Sequence, residues 1–214
     1  MHYLSRAEIE HATAVRTGLH DNYAWHRAIW KAFPGRPQAK RDFLFRVKTV
    51  SDGFRLFVLG PTKPVCPQWC PDSAWASKEV SPGFLEHNSY QFDLLANPTK
   101  KVTKLGADGK PLKNSVRKVL TGQAEQREWL FRKAAASGFT VSTSHGISID
   151  PAGRYSFSKN HGRQETGLHV GIRYLGVLEV TDRNAFKEAF TRGIGSAKGF
   201  GFGMLLIQPI NQTI

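Results

Sequence analysis

Strand and helix patterns alternate twice along the chain in the order β-α-β-β-α-β, which predicts an α+β fold of two tandem ferredoxin-like (βαββαβ) domains. Three observations carry that prediction. Apolar residues recur at period two between turn signals, short helices with caps and stops separate those runs, and a basic stretch interrupts the pattern near the midpoint. The predicted boundaries are 1–97 for an N-terminal domain, 98–118 for a basic connector and 119–214 for a C-terminal domain.

Tyr3–Ile9 reads as the opening strand. Residues 22–33 form the first helix, because Trp25, Ala28, Ile29, Ala32 and Phe33 recur at three- and four-residue steps, with Asp21 or Asn22 in place as cap. Pro34-Gly35-Arg36-Pro37 ends it. Phe43, Phe45 and Val47 share one face of a strand, and a second apolar run, Phe54–Leu59, follows the hairpin turn Ser51-Asp52-Gly53. A weaker helical stretch over Asp72–Glu79 and a strand with Tyr90, Phe92, Leu94 and Ala96 complete the first unit.

The connector holds seven Lys or Arg against one acid, Asp108, in the turn Ala107-Asp108-Gly109. A helix over Thr121–Ala136, a strand with Phe139, Val141 and Thr143, and a continuation through Ile147 and Ile149 follow. The polar, basic segment 154–167 leads into a strand with Leu168, Val170, Ile172 and Tyr174 that runs on to Val180. Thr181 or Asp182 caps the next helix, Gly193 stops it, and Met204–Ile207 is the last strand.

Composition narrows the function. A hydrophobic fraction of 40% with 14 Phe, 5 Trp and 5 Tyr excludes full disorder. Thirty Lys plus Arg against 17 Asp plus Glu give a net charge of +13 in 214 residues, and nucleic acid is the economical partner for such a surface. The only cysteines, Cys66 and Cys70, supply half a tetrahedral zinc site at most and read as structural thiols in a reducing compartment. With no apolar run of about 18 residues and no signal-peptide pattern at Met1–Arg6, the expectation is a cytoplasmic chain that engages no membrane.

Two features suggest chemistry. Tyr23 and His26 stand three apart at the start of the first helix, where backbone N–H groups favour a phosphate and oppose imidazole protonation. A neutral histidine beside a phosphate suits proton abstraction from a hydroxyl, and Tyr23 would orient the nucleophile or steady the phosphate. Spacing alone nevertheless favours a surface histidine beside a half-buried tyrosine, since such pairs are frequent. The second feature is Gly193–Gly203, with five glycines in eleven residues. It matches neither a P-loop nor G-x-G-x-x-G, because Lys198 stands where the third glycine belongs, yet its exposed backbone and Lys198 suit an anionic ligand. Basic residues cluster in three further places: Arg27, Arg36, Lys40, Arg41 and Arg46; the connector, including Lys100; and Arg154, Lys159 and Arg163. Together they support salt-dependent phosphate binding. No metal-binding motif is present, and no cofactor is expected.

Five stretches in order make the chain resemble the CRISPR-associated pre-crRNA endoribonucleases of type I-E systems, the CasE family. They are Tyr23–Trp30, Phe33-Pro34-Gly35-Arg36-Pro37, Arg41–Phe45, Leu95–Lys100 and Gly193–Gly203. The resemblance implies two ferredoxin-like domains and a metal-independent nuclease that cuts CRISPR repeat stem-loop RNA and keeps the product within the Cascade complex. It places the catalytic histidine on His26 and the supporting tyrosine on Tyr23. It also places a glycine-rich loop on Gly193–Gly203, including Gly199 and Gly201, and a basic, groove-entering hairpin within 154–174, where Lys159 and Arg163 are candidates. The 2′-hydroxyl would attack the adjacent phosphate, with His26 as general base or as the acid for the leaving 5′-oxygen, giving a 2′,3′-cyclic phosphate. A stem-loop-binding subunit with an incidental His26, or a general RNA-binding protein of ribosomal type, is the alternative.

Overall fold

The computed structural model describes residues 1–35, 40–105, 111–161 and 163–210, with the side chains of 104–116 and 156–168 outside that description. The first unit comprises β1 (Tyr3–Glu10), α1 (His11–Arg16), α2 (Asn22–Trp30), β2 (Leu44–Val50), β3 (Gly53–Gly60) and β4 (Trp75–Glu79). Its antiparallel sheet has the order β2-β3-β1-β4. The fourth strand thus lies beside the first, as a ferredoxin-like βαββαβ unit requires. The apolar face of α2 and the inward face of the sheet share one core, with Ile9, Trp25, Ile29, Phe43, Phe45, Leu56 and Val58 all buried.

The helix expected over Asp72–Glu79 is a single 3₁₀ turn, Asp72–Ala74, followed by strand β4. Exposure alternates along β4, and Ser77 joins Ser5 of β1 through a 2.9 Å hydroxyl contact. A strand edge satisfies that period-two pattern where a helix would not. The first sheet is therefore complete without residues 90–96.

Those residues belong to β5 (Ser89–Ala96), which opens the second unit. After it come the hairpin β6 (Thr99–Leu105) and β7 (Pro111–Val119), then α3 (Gln123–Ala135), β8 (Phe139–Val141), β9 (Ser148–His161), β10 (Arg163–Val180), α4 (Arg183–Arg192) and β11 (Leu205–Pro209). The second sheet runs β11-β5-β10-β8, which repeats the order of the first. The expected boundary at residue 97 is accordingly corrected to the segment between β4 and β5. Tyr90, Phe92, Leu94 and Ala96 bury their side chains with Trp129, Tyr174 and Phe186 of the second core, and that burial assigns the strand. The expected connector 98–118 is instead a hairpin inserted between β5 and α3 of the second unit. Its turn, Ala107-Asp108-Gly109, lies outside the described residues.

Leu44, Leu59, Phe190 and Met204 form a smaller apolar cluster between the units. Beside it Asp93 of β5 accepts from Arg46 and Lys48 of β2 at 3.2 and 2.9 Å and from Arg173 of β10 at 2.8 Å. Burial raises the Asp93 pKa, but the Arg173 hydrogen bonds and the Arg46 and Lys48 charges outweigh it and hold the carboxyl down to about 2. Cys66 donates to the Cys70 carbonyl at 3.4 Å, and burial pushes the Cys70 thiol up to about 12. Among the described residues no helix is long and apolar enough to cross a membrane.

Candidate active site

Helix α2 begins where Asp21, in extended conformation, accepts the Ala24 N–H at 2.6 Å. The cap is thus Asp21, which leaves Asn22 free for another role. Its side-chain amide donates to the Phe200 carbonyl at 2.6 Å, fastening the glycine loop of the second unit onto the helix start of the first.

His26 lies one turn further along α2, half-buried. Its ring packs against Phe43 at 5.9 Å, nearly parallel, and lies 6.2 Å from Phe45. The Trp30 indole N–H donates to His26 Nε2 at 3.2 Å. That bond uses the Nε2 lone pair, so the neutral ring carries its proton on Nδ1, which is buried with no partner among the described residues. Burial first and the Arg41 guanidinium second push the His26 pKa from 6.5 down to about 4. The expected direction therefore holds, but its main cause is loss of solvent between aromatic rings rather than the helix terminus. Tyr23, also half-buried, lies under the guanidinium of the exposed Arg27 at 5.3 Å.

Arg41 links this helix to the glycine loop. Its guanidinium donates to the Phe43 carbonyl and lowers the pKa of both His26 and Lys198. Lys198 donates to the Arg192 carbonyl at 2.7 Å, and burial first, then Arg41, Lys133 and Arg192, weaken its hold on its proton. Arg41, Arg192 and Lys198 line one groove of about 520 Å³ together with Phe43. On its other side the loop bounds a second basic groove of about 450 Å³, in which Gly195 and Ser196 face Lys100, Lys101, Arg117 and Lys133. Lys100 is exposed there and pairs with Glu125 at 2.7 Å.

Two loop glycines have different reasons to be glycine. Gly201 has φ +80°, and a Cβ there would lie 3.1 Å from the Phe45 ring. Both backbone and packing require glycine at that point. Gly199 carries no such constraint, since an added Cβ would meet only Arg41 Nε, at 3.8 Å.

The structure thus brings His26, Arg41, Lys198 and Gly199 to one side of the α2–loop junction, with Tyr23 and Arg27 on α2 itself. Lys100 faces the second groove, and Lys40 is exposed at the approach to β2. Lys159 and Arg163 fall at the far end of the β9–β10 hairpin, with their side chains outside the description, and Arg36 lies outside the described residues. Sequence reasoning missed Trp30 as the partner of His26, although the i,i+4 spacing was visible. It also missed Asn22 as a loop anchor, which no local pattern announces.

Comparison with known proteins decides the family. The profile described as CRISPR associated protein matches residues 2–209. The Cascade subunit CasE of Escherichia coli K12 is 30% identical over 212 residues, covering 97% of this chain and 100% of its own. The chain belongs to the CasE family. The CRISPR-associated endoribonuclease Cse3 of Thermus thermophilus is 26% identical over 207 residues, covering 92% of this chain and 94% of that relative. The crystal structure of Cas6e from Escherichia coli K-12 superimposes with a TM-score of 0.71 at 26% identity, covering 97% of this chain and 100% of that one. This family membership accounts for the paired ferredoxin-like units and their repeated strand order.

Proposed function

We propose that this CasE-family protein is an endoribonuclease that cleaves CRISPR repeat stem-loop RNA and keeps the product as part of a Cascade complex. The observation that carries the reading is the geometry of the α2–loop junction, where the His26 ring stacks on Phe43 and Phe43 lines the cationic groove of Arg41, Arg192 and Lys198. The groove suits an RNA phosphate, and burial keeps the imidazole neutral at pH 7, the form that can accept a proton. The relative named as an endoribonuclease supports the reaction class, and the relative named as a Cascade subunit supports the assembly.

The 2′-hydroxyl of the nucleotide preceding the cut attacks the adjacent phosphorus. Its proton passes to His26 Nε2, which requires the Trp30 N–H to be displaced. The P–O5′ bond then breaks, and the departing oxygen takes a proton from solvent water while the His26 imidazolium returns its proton to solvent, giving a 2′,3′-cyclic phosphate and a 5′-hydroxyl. Because the nucleophile belongs to the substrate, positioning and proton transfer suffice without a metal-bound water. DNA lacks the attacking hydroxyl and is not a substrate. Arg41 and Lys198 offset charge that builds on the phosphate, and the Tyr23 hydroxyl orients the nucleophile or steadies the phosphate.

The Trp30–His26 bond also favours a second reading, a stem-loop-binding subunit whose histidine is part of an aromatic wall. Incubating the protein with its host's repeat RNA, with and without EDTA, separates the two. Cleavage to a cyclic phosphate in EDTA supports the nuclease; intact RNA bound tightly supports the alternative; a magnesium requirement would point to a metal-activated water instead.

A further inference from the structure

A recess of about 410 Å³ opens between the two units next to the start of α2, lined by Asn22, Arg46, Lys48, Arg154, Tyr155 and Arg173 among others. Neither His26 nor Tyr23 lines it. Four of those six residues are cationic. Asp93 lies behind three of them, holding Arg46, Lys48 and Arg173 in place with a single negative charge. At the mouth, Asp21 is engaged by the Ala24 N–H, and Asp150 faces Arg173 across the β9–β10 register. Arg154 is exposed and pairs with no carboxylate among the described residues.

The Arg46 side chain is only 4% exposed, yet its Nε and Nη1 donors have no partner among the described residues. Unmet buried donors cost roughly 1–3 kcal/mol each, and a charged acceptor answers that cost best. The N-terminus of the nine-residue α2 adds its partial positive charge at the same rim. Two independent features, a buried arginine with spare donors and an oriented helix terminus, therefore border one recess.

From this arrangement we propose that the interdomain recess binds a backbone phosphate of single-stranded RNA flanking the stem-loop. The inference rests on the RNA-processing reading above. A recess of this size between two domains admits a sugar-phosphate unit, with the half-buried Tyr155 as a wall, and excludes a duplex. Asn22 joins it to the catalytic side, because the same residue that lines the recess holds the glycine loop through Phe200. A strand leaving the His26 side of the α2–loop junction therefore has a second phosphate station within reach along α2.

The test measures binding in EDTA with repeat RNA made uncleavable by a deoxyribose 5′ to the cut. Three RNAs are compared: the stem-loop alone, and the stem-loop with a single-stranded flank on its 5′ or its 3′ side. The wild type should bind one flanked RNA more tightly than the bare stem-loop. Arg154→Gln, at an exposed position that spares the fold, should cut that advantage about threefold to tenfold and make the salt slope on that RNA shallower by about 0.7. Arg154→Lys should retain most of it, and Lys48→Gln, monitored for folding by its melting temperature, should add to the loss. Equal weakening on bare and flanked RNA, or a flank advantage that survives Arg154→Gln, would overturn the proposal. Binding to uncleavable RNA does not depend on His26, so failure of the nuclease reading and failure of this one remain distinguishable.

Discussion

Replacing Asp93 by Asn removes the carboxylate that Arg46, Lys48 and Arg173 share between the domains. The Asp93 side chain is 13% exposed and Arg46 4%, whereas Lys48 and Arg173 are 31% and 37% exposed. The last two can rehydrate, but Arg46 is left as a buried charge without its counterion. Holding the carboxyl at about 2 against an ordinary 3.8 corresponds to about 2 kcal/mol of native-state preference, and solvent at the rim trims it. Stranding a buried charge costs about 3–5 kcal/mol, so about 3 kcal/mol is expected for this partly open cluster. In a chain of this size that lowers the melting temperature by roughly 6–12 °C. The pH dependence has a fixed sign. A depressed carboxylate pKa stabilises fully above the unfolded value of 3.8, and that stability fades as pH falls toward about 2. Thermal unfolding followed by circular dichroism at pH 7 and near pH 3 should therefore show a wide gap between wild type and variant that narrows with acid. A variant melting within about 1 °C of wild type at pH 7, or a gap unchanged near pH 3, would refute the reasoning.

Further outcomes follow from the loop and the histidine. Gly199→Val should fold normally and weaken RNA binding if backbone approaches the phosphate there. Gly201→Val should lower the melting temperature as well, because its φ of +80° and the Phe45 ring oppose a side chain; equal melting of both variants would contradict the loop geometry. With His26 as base, kcat/KM for cleavage should rise through pH 4 and reach a plateau well below neutrality; a profile that falls as pH rises through that range would make it the acid. Lys198→Ala should make the salt dependence of RNA affinity shallower by about one unit, measured by titration from about 50 to 200 mM salt, and an unchanged slope would remove Lys198 from the contact.

Much of the first unit was legible because its signals are local. The alternation in β2 and β3, the Ser51-Asp52 turn and the start of α2 at Asn22 emerge as expected. The misplaced boundary has a physical cause: the period-two pattern of residues 90–96 identifies a strand but not its sheet, which is chosen by distant partners such as Ile172 and Leu205. The short β4 was read as helix because five residues give too little period to distinguish the two. At the site, Tyr23, His26 and the glycine loop were visible as sequence features. Their joining by Asn22 and Arg41, and the cluster around Asp93, depend on side chains far apart in the chain meeting in the fold. No single segment encodes such meetings.

The most direct test of the central claim is single-turnover cleavage of the host's repeat RNA in EDTA by wild type and His26→Ala, with affinity measured on the same RNA. Wild type should give a cyclic-phosphate product, and the variant should lose about 10²- to 10⁴-fold in rate with affinity within a few-fold, because many phosphate contacts remain. Cleavage by His26→Ala at the wild-type rate would contradict that claim.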